Sequence, residues 1–105
     1  MIETIGPSLI ARGYNIIPIV HREKRPALSR WQHAKLGAAD CAKWAGCGVG
    51  LLCGVEFRSR PALCALDIDS TDADYAQWCQ DRAFELLGFA PVRVGAAPKR
   101  LLLYR

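Results

Sequence analysis

The chain has 105 residues, enough for one modest hydrophobic core, so a multidomain enzyme is excluded. Hydrophobic residues make up 51% and charged residues 23%, which excludes a disordered chain; no apolar run reaches the roughly 18 to 20 residues that cross a bilayer. Net charge is +4, but residues 21–35 carry five bases and one acid, residues 93–105 four bases and no acid, and residues 40–90 eight acids and four bases. Two basic segments flanking an acidic middle suit a polyanion held around a metal site, or simply an unevenly charged, solvated surface.

The N-terminal stretch MIETIGPSLIARGY has no basic segment leading into an apolar one, so it does not read as a secretory signal. Residues 3–12 predict a short helix, with Gly13 placed to end it. Residues 14–20 (YNIIPIV) are β-branched and predict a strand, which Pro18 confines to a sheet edge. The basic stretch His21–Lys35 lacks apolar periodicity and contains Pro26, so an ordered loop is expected there. Asp40 is expected to cap a short helix through Trp44, stopped by Gly46 and Gly48, and residues 48–52 (GVGLL) predict a strand. Glu56 to Pro61 reads as a polar turn.

Residues 62–69 (ALCALDID) give the clearest buried strand, ending in acids. Ser70 or Thr71 then caps a helix with Asp72 and Asp74 in its first turn, where the dipole favours them, running to Leu87 and closing at Gly88. Val92-Arg93-Val94 and Arg100 to Tyr104 predict a hairpin around Gly95-Ala96-Ala97-Pro98. The last strand is followed by no closing element, so the chain is expected to be an incomplete piece of a single domain spanning residues 1–105.

Five cysteines at 41, 47, 53, 64 and 79, an odd number with no C-x-x-C pair, encode neither a disulfide framework nor a zinc ribbon. Buried thiols in a reducing, cytoplasmic setting are expected. His21 and His33 have no metal-spaced partners and are expected to be exposed. Trp44 and Trp78 fall in helical segments and are expected in or beside the core.

Alternation along a strand puts Asp67 and Asp69 on one face and sends Ile68 into the core. Two carboxylates roughly 6 to 7 Å apart repel each other until a dication or solvent relieves them. Mg²⁺ and Mn²⁺ favour such oxygen ligands, and a pair of these ions can activate an attacking hydroxyl and stabilise a leaving pyrophosphate. The plainer alternative is a helix-capping aspartate with a solvated neighbour.

The ordered combination of IIPIVHREKRPALSRW, GVGLLCG, LCALDIDS with its helix, and PVRVGAAPKRLLLYR resembles the bifunctional primase–polymerase domain. That domain belongs to the archaeo-eukaryotic primase superfamily of phages, prophages and plasmids, and the resemblance runs over nearly the whole chain. It implies an α+β fold: a core with an antiparallel sheet like that of the RNA-recognition motif, an α/β unit packed at its N-terminal side, and an incomplete C-terminal end. It implies DNA priming and polymerisation by nucleotidyl transfer with Mg²⁺ or Mn²⁺. The expected partners are a single-stranded DNA template and nucleoside triphosphates, a helicase domain in the full-length protein, and no membrane.

On this resemblance Asp67 and Asp69 are the catalytic, metal-binding acids of the first motif. The hairpin matches the second motif, which commonly carries a phosphate-binding histidine; here Lys99 and Arg100 stand in that stretch, and alternation lets only one of them enter the site. Arg93, Lys99 and Arg100 are the candidate phosphate ligands, each alternatively a solvated base. Lys24, Arg25 and Trp31 are candidates for template or nucleotide contacts, Trp31 alternatively a packing anchor. The pattern also calls for a third acid on a later strand, and no acid follows Glu85, so little catalysis is expected from this piece alone.

Two rival readings exist. Asp67, Asp69 and Thr71 match the D-x-D-x-T string of haloacid-dehalogenase-like phosphatases, although 66 residues precede it and the later lysine and acidic pair are lacking. A non-catalytic module for single-stranded nucleic acid would keep its DNA binding without Asp67 or a divalent ion.

Overall fold

A computed structural model describes residues 1–105. They form an α+β chain that divides into two compact units, Met1–Ala62 and Leu63–Arg105.

The first unit begins with α1 (Ile2–Ala11). Its end is the one the sequence predicts: Gly13 takes φ +86°, its N–H donates to Ile10 O and that of Tyr14 to Leu9 O, a Schellman pattern that satisfies two terminal carbonyls. The predicted strands appear as β1 (Ile16–Ile19) and β2 (Gly48–Leu51), antiparallel, with Ile16 opposite Leu51 and Pro18 opposite Val49. Pro18 is tolerated because β1 has only one strand beside it. The buried face of α1 (Ile2, Gly6, Ile10) packs with Ile16, Ile17, Cys41 and Leu52 into one core, against which Trp44 is half-buried.

Between the strands the chain makes two 3₁₀ turns, Trp31–His33 inside the basic loop and Ala38–Trp44. The cap of the second differs from expectation. Gly37, not Asp40, is the N-cap, and Asp40 at the third position reaches back to accept the Gly37 N–H at 2.8 Å while pairing with Lys43. The Glu56–Pro61 turn is polar at its tip but anchored by buried Phe57, bridged to Arg60; Arg58 and Ser59 both have positive φ, as a type I′ turn requires.

The second unit is a three-stranded antiparallel sheet in the order β3 (Cys64–Ile68), β5 (Arg100–Tyr104), β4 (Val92–Arg93), with α2 (Ala73–Leu87) on one face. The hairpin forms as predicted, with Val92 opposite Leu102 and Arg93 opposite Leu101. Ile68 and Leu102 pack against Ala76 and Ala83, whose small side chains let the helix lie close to the strands.

Four expectations need correction here, on the α2 cap, the burial of β3, the place of Trp78 and the burial of the cysteines. The α2 cap is Asp72, whose Oδ1 accepts the Tyr75 N–H at 3.0 Å; Ser70 instead accepts the Asp72 N–H, and Thr71 is not the cap. β3 is not a buried strand: only Ile68 is buried, because the strand lies at a sheet edge and the helix covers one face alone. Trp78 is 57% exposed. Of the cysteines, which form no disulfide, only Cys41 is buried, and burial is the main reason its thiol pKa is raised; Cys53 and Cys64 are exposed. His21 and His33 are exposed as expected. No helix is long and apolar enough to cross a membrane.

Candidate nucleotide and metal site

The site is built by the register of β3 on β5. Leu66 opposes Leu102, Asp67 opposes Leu101 and Ile68 opposes Arg100. Directly opposed residues of an antiparallel pair share a face. Ile68, Leu102 and Arg100 therefore share the face that meets α2, while Ala65, Asp67, Leu101 and Leu103 point to the other. Arg93, opposite Leu101, adds a base to this second face from β4.

Carrying the same alternation one residue past each strand puts Asp69 across from Lys99 on the Asp67 face. The side chains meet there: Lys99 Nζ lies 2.9 Å from Asp69 Oδ1, with both groups largely open to solvent. Lys99 holds its proton more tightly than an ordinary lysine, first through the hydrogen bond to Asp69, then through the charges of Asp69 and, more weakly, Asp67. The ammonium is thus paired with Asp69, and Asp67 adds only its more distant charge.

Arg100 goes the other way. Its guanidinium donates from Nη1 to Gln77 Oε1 (3.1 Å) and Gln80 Oε1 (2.7 Å) of α2, and from Nε to Pro98 O (3.1 Å). The alternation that admits one of the pair to the acidic face selects Lys99. Gln77 and Gln80, which fasten Arg100, were not singled out from sequence; their i, i+3 spacing marks a shared helix face but nothing names its partner.

Beside the free edge of β3, an apolar groove of about 450 Å³ runs between Leu66 and Ile68 and the α2 residues Tyr75, Trp78, Cys79 and Leu86. Tyr75 and Trp78 stack there, 6.0 Å between ring centroids and 17° between planes. The regular spacing of 75, 78, 79, 82 and 86 along the helix was a readable sign of this second stripe, separate from the buried one at Ala76 and Ala83.

The other candidates belong to the first unit. Lys24 and Arg25 are exposed in the basic loop, Arg25 paired with Glu23 at 3.0 Å. Trp31 opens the first 3₁₀ turn, 36% exposed, directly after Arg30 at φ +51°.

Asp67 and Asp69 offer two hard oxygen ligands on an open face, and no cluster of three or more histidine, cysteine or acidic side chains that could hold a metal forms. Two carboxylates fit Mg²⁺ or Mn²⁺ in the manner usual for such ions, one or two protein carboxylates completed by water and substrate phosphate.

The chain is a small α+β protein in which Lys99 pairs with the second acid of a D-x-D string. Its family is identified by the matching family model, described as bifunctional DNA primase/polymerase, N-terminal, over residues 7–104. The match covers nearly the whole chain, and the chain belongs to that family. This membership decides against the phosphatase reading of Asp67, Asp69 and Thr71. No curated protein and no solved structure matches the chain. The family's function is DNA priming and polymerisation, a nucleotidyl transfer generally dependent on divalent metal.

Proposed function

We propose that the face carrying Asp67, Asp69, Lys99 and Arg93 is the nucleotidyl-transfer site of a primase–polymerase domain to which both units belong. The observation that carries this reading is the Lys99–Asp69 pair on the sheet face that Asp67 shares by register, in a chain whose family match spans both units. Asp67 and Asp69 would hold Mg²⁺ or Mn²⁺, and the chemistry such an ion would supply is acidification of the attacking hydroxyl and charge neutralisation of the leaving pyrophosphate. Lys99 and Arg93 supply positive charge to the triphosphate. Arg100 braces β5 on α2 and so keeps Lys99 in register with Asp69. The sheet is taken as part of a core like that of the RNA-recognition motif, in a protein of phage, prophage or plasmid type.

In the first unit, Lys24, Arg25 and Trp31 offer phosphate and stacking contacts to a single-stranded template. Two carboxylates without the third acid of the family pattern bind metal and nucleotide but transfer poorly, so the 105-residue chain has little activity of its own. A helicase domain in the full-length protein would supply the unwound template.

Calorimetric titration of Mn²⁺ with a deoxynucleoside triphosphate tests the assignment. The wild-type chain binds the pair and Asp67→Ala does not. Equal binding by the two proteins would remove the site from this face.

A further inference from the structure

The lysine that faces the acids stands where it must also compete for them. Lys99 Nζ is bonded to the same Asp69 carboxylate that the proposed site uses for a divalent ion. An ammonium and a dication on one exposed carboxylate repel each other, and the carboxylate has no second acidic neighbour beyond Asp67 to divide the load. Lys99 is the last residue before β5, and Arg100, the next, is anchored by three hydrogen bonds. Its backbone is thereby fixed at one end while its own side chain remains about half exposed and able to swing.

We propose that Lys99 is an exchangeable counterion of the D-x-D pair: it holds Asp69 while no metal is bound, and gives it up to the metal when a triphosphate arrives to take the ammonium. This inference rests on the metal-site reading above and adds a consequence to it. Metal alone binds against the Lys99–Asp69 pair, whereas metal and triphosphate bind together with that opposition removed. Lys99 thus couples the two ligands, each raising the affinity for the other by the same factor. Bare metal is held weakly and the loaded pair is favoured. Exposed ion pairs of this kind set the scale of the coupling at roughly two- to fivefold in affinity.

The test is Mn²⁺ binding, read from the free-ion electron paramagnetic resonance signal, with and without a non-hydrolysable deoxynucleoside triphosphate. The proteins compared are the 105-residue wild type, Lys99→Met, Lys99→Arg and Asp67→Ala, with circular dichroism showing each folded. The exchange predicts that Lys99→Met binds Mn²⁺ alone about two- to fivefold more tightly than wild type. It also predicts that the enhancement of Mn²⁺ binding by the nucleotide is about two- to fivefold smaller in Lys99→Met than in wild type, and that Lys99→Arg restores both behaviours. Mn²⁺ binding that depends on Asp67 but is unchanged or weakened in Lys99→Met would overturn the exchange and leave the metal site standing. Mn²⁺ binding independent of Asp67, or absent from wild type and Lys99→Met alike, would overturn both.

Discussion

At Gly6, two preferences oppose each other. In a helix interior alanine is favoured over glycine by about 1 kcal/mol. A Cβ at Gly6, however, would lie 2.7 Å from Cys41 Sγ and 3.0 Å from Ile16 Cδ1, both on buried residues. Overfilling a packed core costs roughly 1 to 3 kcal/mol, so the steric term wins. Gly6→Ala is expected to lower the thermal midpoint, and a midpoint raised above wild type would show that the core yields. Asp40 makes a different kind of prediction. The Gly37 N–H first, and Lys43 second, hold its carboxyl below the ordinary aspartate value of 3.8. A lowered folded-state value means that the charged form stabilises the fold above the unfolded value, and that this contribution disappears as pH falls through the folded one. Thermal melts from pH 5 down to about 2.5 should therefore fall more steeply for wild type than for Asp40→Asn. Parallel curves would deny the linkage.

Among the elements, α2 depends on its first turn. Asp72 satisfies a terminal N–H and carries the charge that the dipole favours, and its loss in Asp72→Ala should cost about 1 kcal/mol in urea unfolding. Ser70→Ala and Thr71→Ala should each cost less than Asp72→Ala; the reverse order would return the cap to the position the sequence suggested. That misplacement has a physical source, since D-S-T-D offers four consecutive capping residues and only the path of the backbone chooses among them. Much else was legible. The A-R-G-Y ending of α1, the β1 and β2 strands, and the hairpin around Gly95–Pro98 follow from local chemistry that the tertiary structure does not override. The burial of β3 was not legible, because A-L-C-A-L is the same string whether one or both faces are covered. The site lies between these cases. Alternation says that Lys99 and Arg100 diverge, but which of them meets Asp69 is decided by Gln77 and Gln80, more than 19 residues away in sequence.

On the scale of the whole chain, the cysteines and charges divide along the same lines as the fold. The one buried thiol, Cys41, sits in the core of the first unit, and the exposed bases and tryptophan assigned to the template belong to the same unit. The carboxylates and Lys99 belong entirely to the second unit. A nucleotide site contained in Leu63–Arg105 therefore has a local signature. The direct measurement is paramagnetic broadening of backbone amide resonances by Mn²⁺ together with a non-hydrolysable deoxynucleoside triphosphate. Selective loss of signal at Asp67 to Ser70 and at Lys99 to Leu101, sparing α1 and absent from Asp67→Ala, is the predicted result. Broadening centred elsewhere, or undiminished in Asp67→Ala, would contradict the assignment of this face as the catalytic one.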